Sequence, residues 1–170
     1  MMKAYALAMA AGLMAWGAPA MAETPAYQTI HLEQEVARPA AQVWARIGKF
    51  CDIGEWLHAP CRLVAGKDGE VGAVRDLNNG RVIEVIVGRT DLSYTYAMPD
   101  GMVEGQSFYH GNLAVVPLSK STSRIVYSIL YVDKGAGDEA GRNERREKRV
   151  QRFGEALKTM KALSEASRDK

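Results

Sequence analysis

From Ile30 the apolar positions fall on alternate residues, through Leu32 to Val36, which predicts a strand over residues 30–36. Arg38-Pro39 breaks the run, and proline is tolerated in a first helical turn because its missing N–H costs nothing there. Val43, Trp44 and Ile47 recur at helical spacing, so a helix is predicted over residues 40–47, stopped by Gly48. A further helical turn is predicted between Phe50 and Trp56, before a loop at Pro60. The period then returns to two, predicting strands over residues 61–65, 71–77, 81–87, 93–98, 108–116 and 123–132. Their separators (66–69, Asn79-Gly80, 89–91, 99–101 and 119–122) are rich in the residues that turns require. After a loop over residues 133–141 the period turns helical: Val150, Phe153, Gly154, Leu157, Met160 and Ser164 follow at steps of three and four. A helix of about 20 residues, about 30 Å long, is expected. Such a helix is not stable alone, so its narrow apolar stripe must pack on the sheet. The expected class is α+β: a six-stranded antiparallel meander with the first strand added at an edge, and one long C-terminal helix.

One contact follows from the turn chemistry. Asn79-Gly80 is a preferred pair for a two-residue type I′ hairpin. With that loop, Asn78 pairs with Arg81, and counting outward sets Arg75 opposite Glu84. Opposite residues share a face, here with Ala73, Leu77, Val82 and Ile86. The pair is expected to be a polar fixture within an apolar cavity; the alternative is a surface pair worth under about 1 kcal/mol.

Residues 1–22 differ in kind from the rest. They hold nine Ala and five of the eight Met, with Lys3 as the one charge. An apolar run follows Lys3, Pro19 breaks it, and Ala20-Met21-Ala22 puts small residues where a signal peptidase reads. A secretory signal cleaved after Ala22 is expected. The alternative, an N-terminal anchor, is weakened by Gly12, Gly17 and Pro19. Residues 23–170 are then one exported domain, periplasmic or secreted, with no further segment apolar enough to span a membrane.

The whole chain has 170 residues, 22 basic and 20 acidic, and 47% apolar positions. That is the length of one domain with a sizeable core. Mixed charge and ordinary apolar content exclude a disordered chain, and the near-neutral balance excludes a dedicated nucleic-acid binder. In an oxidising compartment Cys51 and Cys61 are most simply a disulfide. The rival reading, a metal site with His58, is one ligand short of a closed zinc centre. No phosphate loop, nucleophile elbow or metal-ligand cluster is present, and no cofactor is expected. His31 and His110 have no partner that the sequence identifies. Between Arg142 and Arg152 stand six basic residues (142, 145, 146, 148, 149 and 152) against two acidic. A solvated helix start is the common meaning of such a run; weak contact with anionic membranes is the alternative.

Together, several segments resemble the SRPBCC superfamily, which includes START lipid-transfer domains, the birch-pollen allergen family and aromatic polyketide cyclases. They are Arg38-Pro39-Ala40 with Val43-Trp44, Ile47-Gly48-Lys49-Phe50-Cys51, Glu55-Trp56 and Cys61. Gly72-Ala73-Val74-Arg75-Asp76-Leu77, Glu84 and Ser93-Tyr94-Thr95-Tyr96 continue the series. The resemblance covers about residues 34–163 and is closest to the polyketide cyclase/dehydrase-like branch of small bacterial proteins. That branch often has His-Pro after the Trp; Leu57-His58-Ala59-Pro60 departs from it, so His58 inherits no role.

The resemblance implies a helix-grip fold, in which a bent sheet closes on the long helix and leaves a cavity between them. Trp56, Arg75, Glu84, Tyr94, Tyr96, Phe153 and Leu157 are the candidates to line it. The expected function is to hold a small hydrophobic or amphipathic ligand, a lipid or an aromatic metabolite. The alternative is cyclisation or dehydration of a poly-carbonyl substrate. There Arg75 would stabilise an enolate while Glu84 or Tyr96 moved protons. Export argues against that alternative, since polyketide intermediates are handled inside the cell.

Overall fold

In β1 (Tyr27–Val36) side chains alternate between solvent and core, with Ile30 and Val36 fully inside. The computed structural model describes residues 27–99, 106–133 and 138–166. The expected signal segment, residues 1–22, lies outside the described residues. After β1 come α1 (Ala40–Ile47) and the single turn α2 (Ile53–Trp56). The strands β2 (Cys61–Ala65), β3 (Val74–Leu77), β4 (Val82–Thr90), β5 (Ser93–Ala97), β6 (Gln106–Pro117) and β7 (Ser123–Asp133) follow. The chain's long helix, α3 (Glu139–Glu165), comes last. The strands form one antiparallel sheet in the order β1-β7-β6-β5-β4-β3-β2, so β1 sits at the edge beside β7, as the sequence predicts. This is the helix-grip fold, a curved sheet wrapped on α3.

Local chemistry sets the boundaries. Pro39 directly precedes α1, and its carbonyl accepts from the amides of Gln42 and Val43 at 3.0 and 3.1 Å. Gly48 caps the helix, its amide donating to the Trp44 carbonyl at 2.8 Å, and a larger residue does not fit there because a Cβ would lie 2.5 Å from the Trp44 ring. Several elements differ from their predicted spans, β1 by starting at Tyr27 rather than Ile30, and three differences have a local cause. β3 begins at Val74 rather than Val71, because Gly72 takes a positive φ of 89° and Val71 points into solvent. β4 runs on to Thr90, past a bulge between Ile86 and Gly88 that hides the strand period. α3 has 27 residues, starting where the Asp138 carboxylate accepts from the Gly141 amide at 2.9 Å. The arginine-rich segment forms the first turns of the helix, as expected of a helix start, and the whole of α3 is about 40 Å long.

The apolar face of α3 (Phe153, Ala156, Leu157 and Met160) is buried against the sheet and α1. Its last turn is tied back: the Ala37 amide donates to Glu165 at 2.7 Å, and Lys161 reaches the Glu35 carbonyl at 2.9 Å. Cys51 and Cys61 form a disulfide that joins the α1–α2 link to edge strand β2. For so short a loop the chain-entropy model assigns about 2.5–3 kcal/mol. Reduction, or the double substitution Cys51→Ser and Cys61→Ser, should therefore lower Tm by about 5–12 °C at this chain length. Thermal unfolding with and without reductant reads this directly, and an unmoved Tm would deny the crosslink a stabilising role.

Candidate functional site

Strand alternation places Glu84 of β4, Tyr96 of β5, Tyr109 of β6 and Tyr127 of β7 on the sheet face beneath α3. Arg149 and Phe153, one helical turn apart, meet them from α3. Between these elements is a cavity of about 220 Å³. Ile53, Leu57 and Ala59 line one side, and Leu77, Val82 and Met98 complete the apolar wall. Arg152, also lining, is exposed to solvent.

The hairpin register places the charged pair as expected: Arg75 stands opposite Glu84, and both are buried. The turn itself has four residues rather than two. Asn78, Asn79 and Gly80 all take positive φ, and the Asp76 carboxylate accepts from the Gly80 amide. Arg75 Nε donates to Glu84 Oε2 at 2.7 Å, and Nη2 lies 2.6 Å from the same oxygen. Nη1 donates to the Phe50 carbonyl, while the guanidinium carbon stacks 4.1 Å from the Phe50 ring and 4.9 Å from the Tyr96 ring. Desolvation is the largest influence and works to lower the Arg75 pKa, but the Glu84 carboxylate together with Tyr94, Tyr96 and Tyr127 outweighs it, and the net direction is upward. Burial pushes the Glu84 carboxyl above its ordinary value, against the pull of Arg75.

Tyr96 and Tyr127 share a hydroxyl–hydroxyl hydrogen bond across β6. They meet because Gly111, paired with Tyr96 in the intervening strand, puts no side chain between them. Burial raises all three cavity tyrosines, Tyr109 to about 12 and Tyr96 and Tyr127 well above the usual value. At neutral pH these hydroxyls keep their protons, so they act as hydrogen-bonding groups and not as bases. Arg149 is half-buried, with its guanidinium carbon 4.2 Å from the Tyr131 ring centroid and 5.8 Å from that of Tyr109. Its Nη1 is buried and has no hydrogen-bond partner.

Of the predicted lining, Glu84, Tyr96 and Phe153 face the cavity. Trp56, Arg75, Tyr94 and Leu157 are buried but do not line it, which corrects that part of the expectation. Trp56 packs edge-on to Tyr127, Tyr94 lies between Trp44 and Phe50, and Leu157 belongs to the helix–sheet core. Arg75 is fully buried, ion-paired with Glu84 and absent from the cavity wall, so its guanidinium does not reach the space where an enolate would sit. Sequence reasoning missed Tyr109, Tyr127 and Arg149. The tyrosines sit at inward positions of predicted strands, and Arg149 lies four residues before Phe153, directly before the recognised stripe begins at Val150.

Two further expectations change. The run from Arg142 to Arg152 is not a uniform solvated face: Arg146 reaches the Thr29 carbonyl at 3.1 Å, Lys148 pairs with Glu144, and Arg149 turns inward. His31 does have partners on the outer sheet face, Ser128 at 2.9 Å and Glu33 at 3.2 Å, while His110 stacks on Phe108. No helix among the described residues is long and apolar enough to cross a membrane.

Residues 27–165 match the family described as polyketide cyclase/dehydrase and lipid transport. Among solved structures, a protein from Thermobifida fusca is similar at 24% identity and a TM-score of 0.67, over 80% of this chain and 92% of that one. Truncated norcoclaurine synthase from Thalictrum flavum is similar at 19% identity and a TM-score of 0.65, over 87% and 99%. Ara h 8.0201 is similar at 17% identity and a TM-score of 0.64, over 84% and 100%. At these identities the structures speak for the fold alone. No curated protein sequence matches the chain.

Proposed function

The chain belongs to the polyketide cyclase/dehydrase and lipid transport family of the SRPBCC superfamily, and from that premise we propose that it is an exported binding protein for a small hydrophobic or amphipathic molecule. The observation that carries this reading is the 220 Å³ cavity under α3, with an apolar wall and a few converging polar groups. Binding is favoured over cyclisation because the chemistry of the cavity is quiet. Its tyrosines stay protonated, and its carboxylate is neutralised by Arg75. The cation assigned to an enolate is turned away from the space where a substrate would sit. Export rests on the composition of residues 1–22 and is consistent with the Cys51–Cys61 disulfide.

Native mass spectrometry of protein purified gently from its own compartment tests both parts. A co-purifying species that is released on denaturation is expected, on a chain beginning at Glu23. A bare chain that also takes up nothing from a lipid and metabolite extract would refute binding. Met1 or Met2 at the N-terminus of the exported protein would refute cleavage.

A further inference from the structure

We infer that the occupant of this cavity is a small carboxylic acid with a one-ring aromatic body, its carboxylate held by the Arg149 guanidinium. The inference rests on the ligand-binding reading and names the class of ligand. Charge is the first ground. Glu84, the acidic side chain among the lining residues, is already matched by Arg75 behind it. Arg149 and Arg152 line the same space, and neither has an acidic partner among the described residues. The cavity is thus net positive and draws an anion rather than a cation.

Geometry is the second ground. Arg149 lines the cavity, and its Nη1 donates to nothing within the protein, a costly state for a charged donor. The Tyr131 ring at 4.2 Å supports the face of the guanidinium without using its N–H groups. Those paired donors match the two oxygens of a carboxylate. Phe153 four residues on places an aromatic face beside the expected head group.

Size and walls are the third ground. A cavity of about 150 Å³ holds benzene, and this one of about 220 Å³ adds room for a short arm but not for a long acyl chain. Tyr96, Tyr109, Tyr127 and Phe153 offer the ring contacts. Because the three hydroxyls stay protonated, they do not repel the anion.

Titration calorimetry on the purified full protein, near neutral pH and at low salt, compares 3-phenylpropanoate with its neutral isostere 3-phenylpropanamide. The acid is expected to bind at least about tenfold more tightly than the amide, a difference of about 1.4 kcal/mol. Arg149→Met should bring the acid down to the level of the amide and leave the amide's affinity unchanged. Lys158→Met, on the exposed face of α3 where it pairs with Glu155, should keep the full preference. Equal affinities in the unmodified protein, or a preference that survives Arg149→Met, would overturn the anionic assignment while the cavity reading stood. Failure of both probes to bind would overturn the assigned class, and the native mass spectrum then judges the cavity reading by itself. The comparison in the unmodified protein holds whether or not the variant folds.

Discussion

Glu84→Leu is expected to cost about 3–5 kcal/mol of folding stability, because removing one partner strands the other charge in the interior. The stranded group is Arg75, which has no exposed surface and keeps its proton at any ordinary pH. Its hydrogen bond to the Phe50 carbonyl and the Phe50 ring remain, but neither supplies a negative charge. Arg75→Leu differs in a way that separates the two halves of the pair. Glu84 escapes by taking up a proton, since burial already pushes its carboxyl upward and only Arg75 opposes that. With Arg75 gone the folded-state pKa lies far above the unfolded one, so the folded state binds the proton more tightly. Stability of Arg75→Leu should therefore rise as pH falls through the folded pKa towards the ordinary carboxyl value. Glu84→Leu should show no such recovery. The double variant, with both positions apolar, should regain most of the loss, as buried pairs replaced together often do. Urea unfolding across pH checks all three. A Glu84→Leu variant within about 1 kcal/mol of the parent, the worth of a surface pair, would contradict the burial of the pair.

The same pair shows what was legible in the chain and what was not. Register followed from Asn79-Gly80 even though the turn is four residues long. A two-residue and a four-residue loop centred on the same peptide bond give the same partners, so the error in turn type cancelled. The order of elements was legible for a similar reason: the switch from period two to a helical period survives an error of several residues at each boundary. Gly88 shows the limit. A bulge there shifts the alternation, so the last residues of β4 read as a separator. Depth was not legible. Alternation tells which face Tyr94, Tyr96, Tyr109 and Tyr127 occupy, but not which of them meets a neighbour and which meets open space. That depends on the curvature of the sheet and on where α3 starts. Arg75 fell to the same limit: its strand position was right, and its side chain runs sideways to Phe50 and Glu84 rather than towards the helix. Arg149 was masked by its basic neighbours. The run read as a solvated helix start, and only the packing of α3 on the sheet shows that Arg149 faces the tyrosines.

Gly111→Ala is expected to be nearly as damaging as the loss of Glu84, for a steric reason. A Cβ at this position would lie 2.2 Å from Tyr96 Cζ and 2.3 Å from its hydroxyl oxygen. The ring is hemmed in by the Arg75 guanidinium, 4.9 Å from its centroid, and by the rings of Tyr94 and Tyr109, each 6.2 Å away, so the open direction left to it is into the cavity that it lines. Either Tyr96 is pushed from its place, into the space a ligand would fill, or β5 and β6 separate. Expelling the ring forfeits about as much as truncating a buried aromatic, about 3–5 kcal/mol. The hydrogen bond to Tyr127 goes with it, and so does the wall of the cavity, so ligand uptake should fall along with stability. A double-mutant cycle isolates the cause. In a Tyr96→Ala background the added methyl meets no ring, and Gly111→Ala should cost little beyond Tyr96→Ala itself. The coupling is expected near the top of the usual range, about 3 kcal/mol. Equal costs in the two backgrounds would mean that the glycine serves its own strand and not the tyrosine lying across it. The cavity would then owe its shape to something other than the bare backbone of β6.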